Sequence, residues 1–195
     1  MRAPTLLLER PAAAEVAPAG AAPIIAPDSA PRGVRRATGE FAVHAEEFAL
    51  VTDGDTPAFH DLTDLARAVV ARAGVAAGTL LVSTRHTTCA VVVQEHEPLL
   101  LADMADRLRR YAGADEDYRH NDFAVRTVNM CDGECANGHA HCQHLLLGAA
   151  VTLPVRDGRP VLGLWQRVFL IELDRPRLRH FDIQAMGVRD EDDRR

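Results

Sequence analysis

The chain has no lysine; all 22 of its basic residues are arginine. That absence removes Schiff-base lysine chemistry and the lysine of phosphate-binding P-loops. Base composition of the coding DNA accounts for such a gap without any function behind it. Long apolar runs are missing too, and no uncharged stretch approaches the ~18 residues of a membrane-spanning helix. No membrane partner is therefore expected. Positive charge is in deficit, with 28 acids against 22 arginines and a net charge of −6. A sequence-independent nucleic-acid binder shows the opposite balance, so no nucleic-acid partner is expected either. Four cysteines in 195 residues do not make a disulfide-stapled secreted scaffold, and a cytoplasmic location is expected. No G-x-S-x-G, G-x-G-x-x-G, Walker A or H-E-x-x-H motif occurs.

What is present begins with a segment rich in Ala and Pro. Residues 1–36 hold only short apolar islands, Leu6–Leu8 and Ile24–Ile25, too few to offset the entropy of ordering, so a disordered leader is expected. It carries five Arg against three acids, which leaves the rest of the chain at −8. Residues 37–189 read as one domain and 190–195 as a charged, frayed tail.

Within the domain, Phe41, Val43, Phe48 and Leu50 alternate roughly as in a strand. Leu62, Leu65, Ala66, Val69 and Val70 recur at helical spacing, with Asp61 or Thr63 to cap the start and Gly74 to end it. Thr79–Ser83 and Cys89–Gln94 read as β-branched strands around a turn, 84–88. Pro98 opens a second helix running to about Tyr111, and His139–Leu147 reads as a short third. Asp157-Gly158 between Val151–Val155 and Val161–Glu172 predicts a hairpin, and Leu178–Val188 a last strand. Helices interspersed with hairpins predict an α+β fold, with a mostly antiparallel or mixed sheet and about three helices.

Nine histidines are the chemistry-bearing residues to place. His44, His60, His96 and His180 have no motif around them and read as ordinary structural or surface groups. His86 lies in R-H-T-T, His120 in Y-R-H-N, and His139 and His141 in N-G-H-A-H. On an extended backbone, His139 and His141 would share one face. On a helix, His141 and His144 would pair instead. Neutral imidazoles are zinc ligands by preference, whereas magnesium, the alternative, prefers oxygen. Cys131, Cys135, His139 and His141 form a rival, irregularly spaced set of metal ligands. Glu95 closes a strand just ahead of Pro98, where a carboxylate serves as a general base, a ligand or a helix N-terminal charge. Trp165 reads as a core residue of its strand, and Gln166 as a hydrogen-bond donor on the opposite face.

Taken in order, four segments resemble one family. They are Ser83–Glu95 (STRHTTCAVVVQE), Tyr118–Asn121 (YRHN), Asn137–Leu147 (NGHAHCQHLLL) and Asp157–Asp174 (DGRPVLGLWQRVFLIELD). The chain resembles the YjbQ-like family, named in places as secondary thiamine-phosphate synthases. The resemblance covers about Thr38 to Val188. It implies an α+β homotrimer with a histidine-rich pocket able to hold a metal. The matching positions are His86, Thr87, Thr88, Glu95, His120, His139, His141 and Gln166. Two departures stand out: Gln94 where many relatives carry Asn, and a longer segment from Phe123 to Ala136. The expected function is a metal-assisted enzyme acting on a small phosphorylated metabolite, a transferase by resemblance. His86, His120 and His141 would hold the ion, zinc rather than magnesium. Glu95 would act as general base or acid, and Thr87, Thr88, His139, Gln166 and Arg119 would bind substrate. The alternative is a trimer that binds metal or metabolite without turnover.

Overall fold

The computed structural model describes residues 37–189, so the expected leader and tail lie outside the described residues. The alternation around Phe41 becomes a single strand, β1 (Phe41–Val51), with every second side chain facing outward. A short strand the sequence did not signal, β2 (Ala58–Asp61), leads into helix α1 (Thr63–Ala73), which ends at Gly74 in the left-handed conformation (φ 63°). Then come β3 (Val75–Thr84), β4 (Cys89–Glu95), α2 (Pro98–Tyr111), a short 3-10 turn at Arg119–Asn121 and α3 (Gly138–Leu147). The C-terminal third holds β5 (Ala150–Arg156), β6 (Arg159–Pro160), β7 (Gln166–Glu172) and β8 (Leu178–Arg189).

Two antiparallel sheets result, one in the order β1-β8-β3-β5-β6 and one in the order β2-β7-β4. This is an α+β fold, with three α-helices among the described residues. Helix α1 and the inner faces of both sheets enclose the main core, which includes Val69, Val70, Leu80, Val82, Val91, Leu170, Phe181 and Ile183. The other face of the three-stranded sheet packs Ala90, Phe169 and Ile171 against α2 and α3 residues such as Leu108 and Ala140. The outer face of β1 is uncovered: Phe41, Val43 and Val51 are exposed.

The hairpin at Asp157-Gly158 forms, both residues having positive φ (49° and 71°), as a type I′ turn requires. The single strand expected from Val161 to Glu172 does not form. The chain leaves the first sheet after Pro160, turns at residues 163–165, and enters the second sheet as β7. Trp165 sits in that turn, 65% exposed, and not in the core. Pairing, not local composition, decided this: β6 has only β5 beside it, while β7 is held on both sides by β2 and β4.

Asp61 locks β2, α1 and β7 together. It accepts hydrogen bonds from Thr63 N (2.8 Å), Arg167 Nε (2.7 Å) and His96 Nδ1 (3.1 Å). Burial pushes its carboxyl pKa up, but these bonds outweigh burial and hold it at about 2, against an ordinary 3.8. A carboxylate depressed on folding adds stability above its unfolded pKa and loses it as pH falls through the folded one. Asp61→Asn should therefore be clearly less stable than wild type at pH 6. The gap should shrink as pH falls from about 4 to about 2. Urea denaturation across that range measures it, and a pH-independent gap would refute the assignment.

Candidate functional site

One end of the two sheets carries a pocket. Strand β4 begins just after the turn holding His86, Thr87 and Thr88, and β8 begins opposite it with Arg179 and His180. The 3-10 turn brings Arg119 and His120, α3 brings His141, and segment 122–136 closes the side. The cavity is about 750 Å³, lined by His86, Thr87, Thr88, Arg119, His120 and His141. Arg126, Glu134, Arg177 and Arg179 complete its charged wall. Four arginines thus gather at one opening in a chain of net charge −6.

The floor is a buried ion pair. Arg179 donates from Nε to Glu172 Oε2 (2.6 Å) and from a terminal nitrogen to Glu172 Oε1. The same nitrogen donates to Thr88 O (3.2 Å) and Thr88 Oγ1 (3.0 Å). With its oxygen accepting from Arg179, the Thr88 hydroxyl has its own proton to give to a ligand. His86 is fixed in a similar way: its Nε2 accepts from the His180 amide (2.9 Å). A neutral imidazole accepting at Nε2 carries its proton on Nδ1, so His86 is a donor in this arrangement. Burial, then the charges of Arg179 and His180, push its pKa down and keep it neutral.

His120 and His141 are the converging pair, with ring centroids 4.6 Å apart at 66°. Residues 138–147 are helical, so His139 and His141 point to different sides; His144, the partner expected on a helix, does not line the pocket, and the ring that meets His141 is His120. His141 is kept neutral by burial, helped by His120 and Arg126. His139 is 7% exposed, its Nδ1 is buried without a partner, and it does not line the pocket. Among the described residues, no group of three or more His, Cys, Asp or Glu is arranged to hold a metal. His86 misses the expected set because its Nε2 lone pair is committed to a backbone amide. The rival cysteine set is dispersed: Cys131 Sγ donates to Glu134 Oε1 (3.0 Å), while Cys135 lies near Asp174 and Arg177.

Glu95 and Gln166 are paired with each other in register at the far end of β4 and β7, whereas Cys89 and Glu172 are paired at the pocket end. Six residue steps at about 3.3 Å separate the two ends by roughly 20 Å. Gln166 does not donate into the pocket; its Oε1 accepts from Gly163 N (2.7 Å) and closes the 163–165 turn. Arg85, an arginine beside His86, pairs outward with Glu47 and Asp182.

Sequence reasoning missed Arg177, Arg179 and Glu172. Glu172 falls within the matching Asp157–Asp174 segment without a role being read there, and no motif marks the two arginines; the role of the Arg179–Glu172 pair arises where β7 ends and β8 begins. The segment from Phe123 to Ala136 stood out in the sequence for its extra length and for Cys131 and Cys135, not as a wall of the pocket. Here it is a wall built around Arg126, which donates to Val128 O (3.3 Å), Glu134 Oε2 (2.9 Å) and Asn129 O (2.7 Å).

Comparison with known proteins places these features in context. The family model described as "UPF0047 protein YjbQ-like" matches residues 46–188. A UPF0047 protein of Methanothermobacter thermautotrophicus is 34% identical over 127 residues, covering 65% of this chain and 81% of that one. One from Archaeoglobus fulgidus is 35% identical, covering 65% and 89%. Among solved structures, a YbjQ-like protein of unknown function from Sulfolobus solfataricus P2 is 30% identical with a TM-score of 0.67. That match covers 76% of this chain and 99% of the other. A hypothetical protein from Aeropyrum pernix K1 is also 30% identical, with a TM-score of 0.64, covering 73% and 98%.

Proposed function

The chain belongs to the YjbQ-like UPF0047 family, and from that premise we propose that its pocket is the site of a metal-assisted enzyme acting on a small phosphorylated metabolite. The observation that carries the reading is the convergence of two imidazoles, His120 and His141, with ring centroids 4.6 Å apart, inside an arginine-lined cavity. Two nitrogen donors fit zinc better than magnesium. His120 and His141 would hold the ion, and any further protein ligand would come from outside the expected triad, since His86 is engaged. Bound zinc would supply Lewis acidity and a bound water acidified to near neutrality.

The protein's own residues supply recognition. Arg119 is exposed at the rim with no side-chain partner among the described residues. It would meet a phosphate oxygen, with the Thr88 hydroxyl and His86 Nδ1–H as further donors. Those donors would also steady the charge on a leaving pyrophosphate, as a thiamine-phosphate-synthase-type transfer requires. The reading includes a homotrimer, supported by the uncovered apolar face of β1, and a cytoplasmic location, supported by four free cysteines. No described helix is long and apolar enough to cross a membrane.

Metal analysis of the purified protein tests the reading. Wild type and His86→Ala should carry close to one zinc per chain, and His120→Ala and His141→Ala should carry almost none. No zinc in wild type, or equal zinc in all four, would sink it. One observation favours the alternative of a metal- or metabolite-binding trimer without turnover: Glu95, the expected base, is not in its own chain's pocket. Turnover lost in Glu95→Gln decides for the enzyme; ligand-dependent stabilisation without turnover decides for the binder.

A further inference from the structure

We infer that Cys135 and Cys131 form a peroxide-sensitive dithiol whose disulfide loosens the arginine wall of the pocket. The thiol chemistry stands on its own. Its effect on ligand binding rests on the pocket being the phosphate site proposed for it.

Both thiols lie on the segment Phe123–Ala136, where this chain departs from the family pattern. Both are free, Cys131 exposed and Cys135 half-buried. Each is one contact away from a pocket arginine, or touches one directly. Cys131 Sγ donates to Glu134 Oε1 (3.0 Å), and the other Glu134 oxygen accepts from Arg126 (2.9 Å). Cys135 Sγ accepts from Arg177 at 3.7 Å, and Asp174 fixes that arginine at 2.6 Å. Arg175 reaches the same sulfur. Reactive thiols occupy such electropositive, partly open surroundings, where cations steady the charge of the attacking sulfur. Cys89 is the contrast: it is buried, and burial pushes its thiol up to about 11.

A peroxide-sensing thiol works with a second thiol close by. The chain turns at Asp132–Gly133, with Gly133 in the left-handed region (φ 81°), and Cys135 lies one residue past that turn. The ends of a four-residue turn approach within ~7 Å, and a disulfide spans Cα atoms ~4.4–6.8 Å apart. A carboxylate stands beside each thiol to take its proton. Asp174 Oδ2 is 3.8 Å from Cys135 Sγ, and Glu134 Oε1 already accepts from Cys131.

The reaction balances with hydrogen peroxide as the oxidant. Cys135 gives its proton to Asp174 and its sulfur attacks one peroxide oxygen. The O–O bond breaks, and the departing hydroxide takes that proton and leaves as water. Cys135 is now a sulfenic acid. Cys131 gives its proton to Glu134 and attacks the oxidised sulfur. The S–O bond breaks, and the second hydroxide leaves as water with that proton. Two thiols are oxidised to one disulfide, and one peroxide is reduced to two waters. A disulfide has no S–H, so the bond that Cys131 gives to Glu134 is lost, and Glu134 is what holds Arg126.

Peptide mass spectrometry of the full-length chain after dilute hydrogen peroxide tests the chemistry. A Cys131–Cys135 disulfide should form while Cys89 and Cys142 stay thiols. Cys131→Ser should leave Cys135 as a sulfenic acid captured by dimedone, and Cys135→Ser should leave Cys131 unoxidised. Amide hydrogen exchange across residues 123–136 should quicken about tenfold on oxidation and return with dithiothreitol. Inorganic phosphate, followed by calorimetry, should bind the oxidised chain about tenfold more weakly than the reduced one. No disulfide, a disulfide to Cys142 instead, or unchanged exchange in the oxidised chain would overturn the inference. So would equal phosphate affinity in the two forms. A reduced chain that binds no phosphate tells against the pocket's reading, while the disulfide and exchange measurements still decide this one.

Discussion

Arg179→Met is expected to cost about 3–5 kcal/mol of folding stability, the usual penalty for stranding one member of a buried ion pair. Arg179 is 1% exposed and Glu172 fully buried. The Glu172 carboxylate also accepts from Thr52 Oγ1 (2.9 Å) and the Asp174 amide (3.0 Å). Burial alone would raise its pKa, yet Arg179 and these donors bring it below the ordinary value. Without the guanidinium, the carboxylate must stay charged with weaker partners or take up a proton. For a domain of this size, 1 kcal/mol corresponds to about 2–4 °C, so the melting temperature should fall by roughly 6–20 °C. Replacing both partners, Arg179→Met with Glu172→Leu, should recover part of the loss, because no buried charge is then left unpaired. Calorimetry and urea midpoints measure all three proteins. A single mutant within 1 kcal/mol of wild type would show that the pair is not holding this end of the fold. The same substitution frees the Thr88 oxygen, so ligand binding should weaken even in chains that remain folded.

Gly78→Val should be worse, exceeding about 4 kcal/mol and leaving little folded protein. Gly78 on β3 and Gly187 on β8 face each other in register. A Cβ on Gly78 would lie 2.0 Å from Met186 O and 2.7 Å from the Gly187 Cα. A Cβ on Gly187 would meet Ala77 O at 2.2 Å. These are backbone atoms, so no rotamer change relieves the contact. The strands would have to separate, and with them Leu80, Val82, Ile183 and Ala185 of the core. Strand β8 also positions Arg179 and His180, so damage at Gly78 reaches the pocket floor. Soluble yield and far-UV circular dichroism are the measurements; a folded, near-wild-type Gly78→Val protein would disprove the close approach.

Much of this was legible from local pattern. Helix α2 runs from Pro98 to Tyr111 as its periodicity and N-terminal proline predict. Gly74 and Asp157-Gly158 do what their positions ask. Six of the expected site residues, His86, Thr87, Thr88, Arg119, His120 and His141, meet in one pocket. The misreadings share a cause. Neither His139 nor His144 joins His141 in the pocket: its partner is His120, which comes from a separate turn that helical or strand spacing within α3 cannot reveal. Trp165 looked like core because apolar neighbours surround it in sequence, but exposure depends on which strand lies alongside. Arg179 and Glu172 are only seven residues apart, but they sit at the end of β7 and the start of β8, strands of different sheets, and no local periodicity pairs them. His86 had the right composition for a metal ligand; only the His180 amide, far along the chain, shows which nitrogen is spoken for.

The outermost strand of the larger sheet has a practical consequence for all these experiments. Strand β1 runs for eleven residues at an open edge. Its outward row reads Phe41, Val43, Ala45, Glu47, Ala49, Val51, with a single charge to discourage a stray strand from joining it. Long, flat, apolar edges recruit further strands without limit. Isolated chains in solution should therefore drift into aggregates with rising thioflavin fluorescence. A lysine placed at Val43 should act as a gatekeeper, keeping such chains in solution long enough to be weighed.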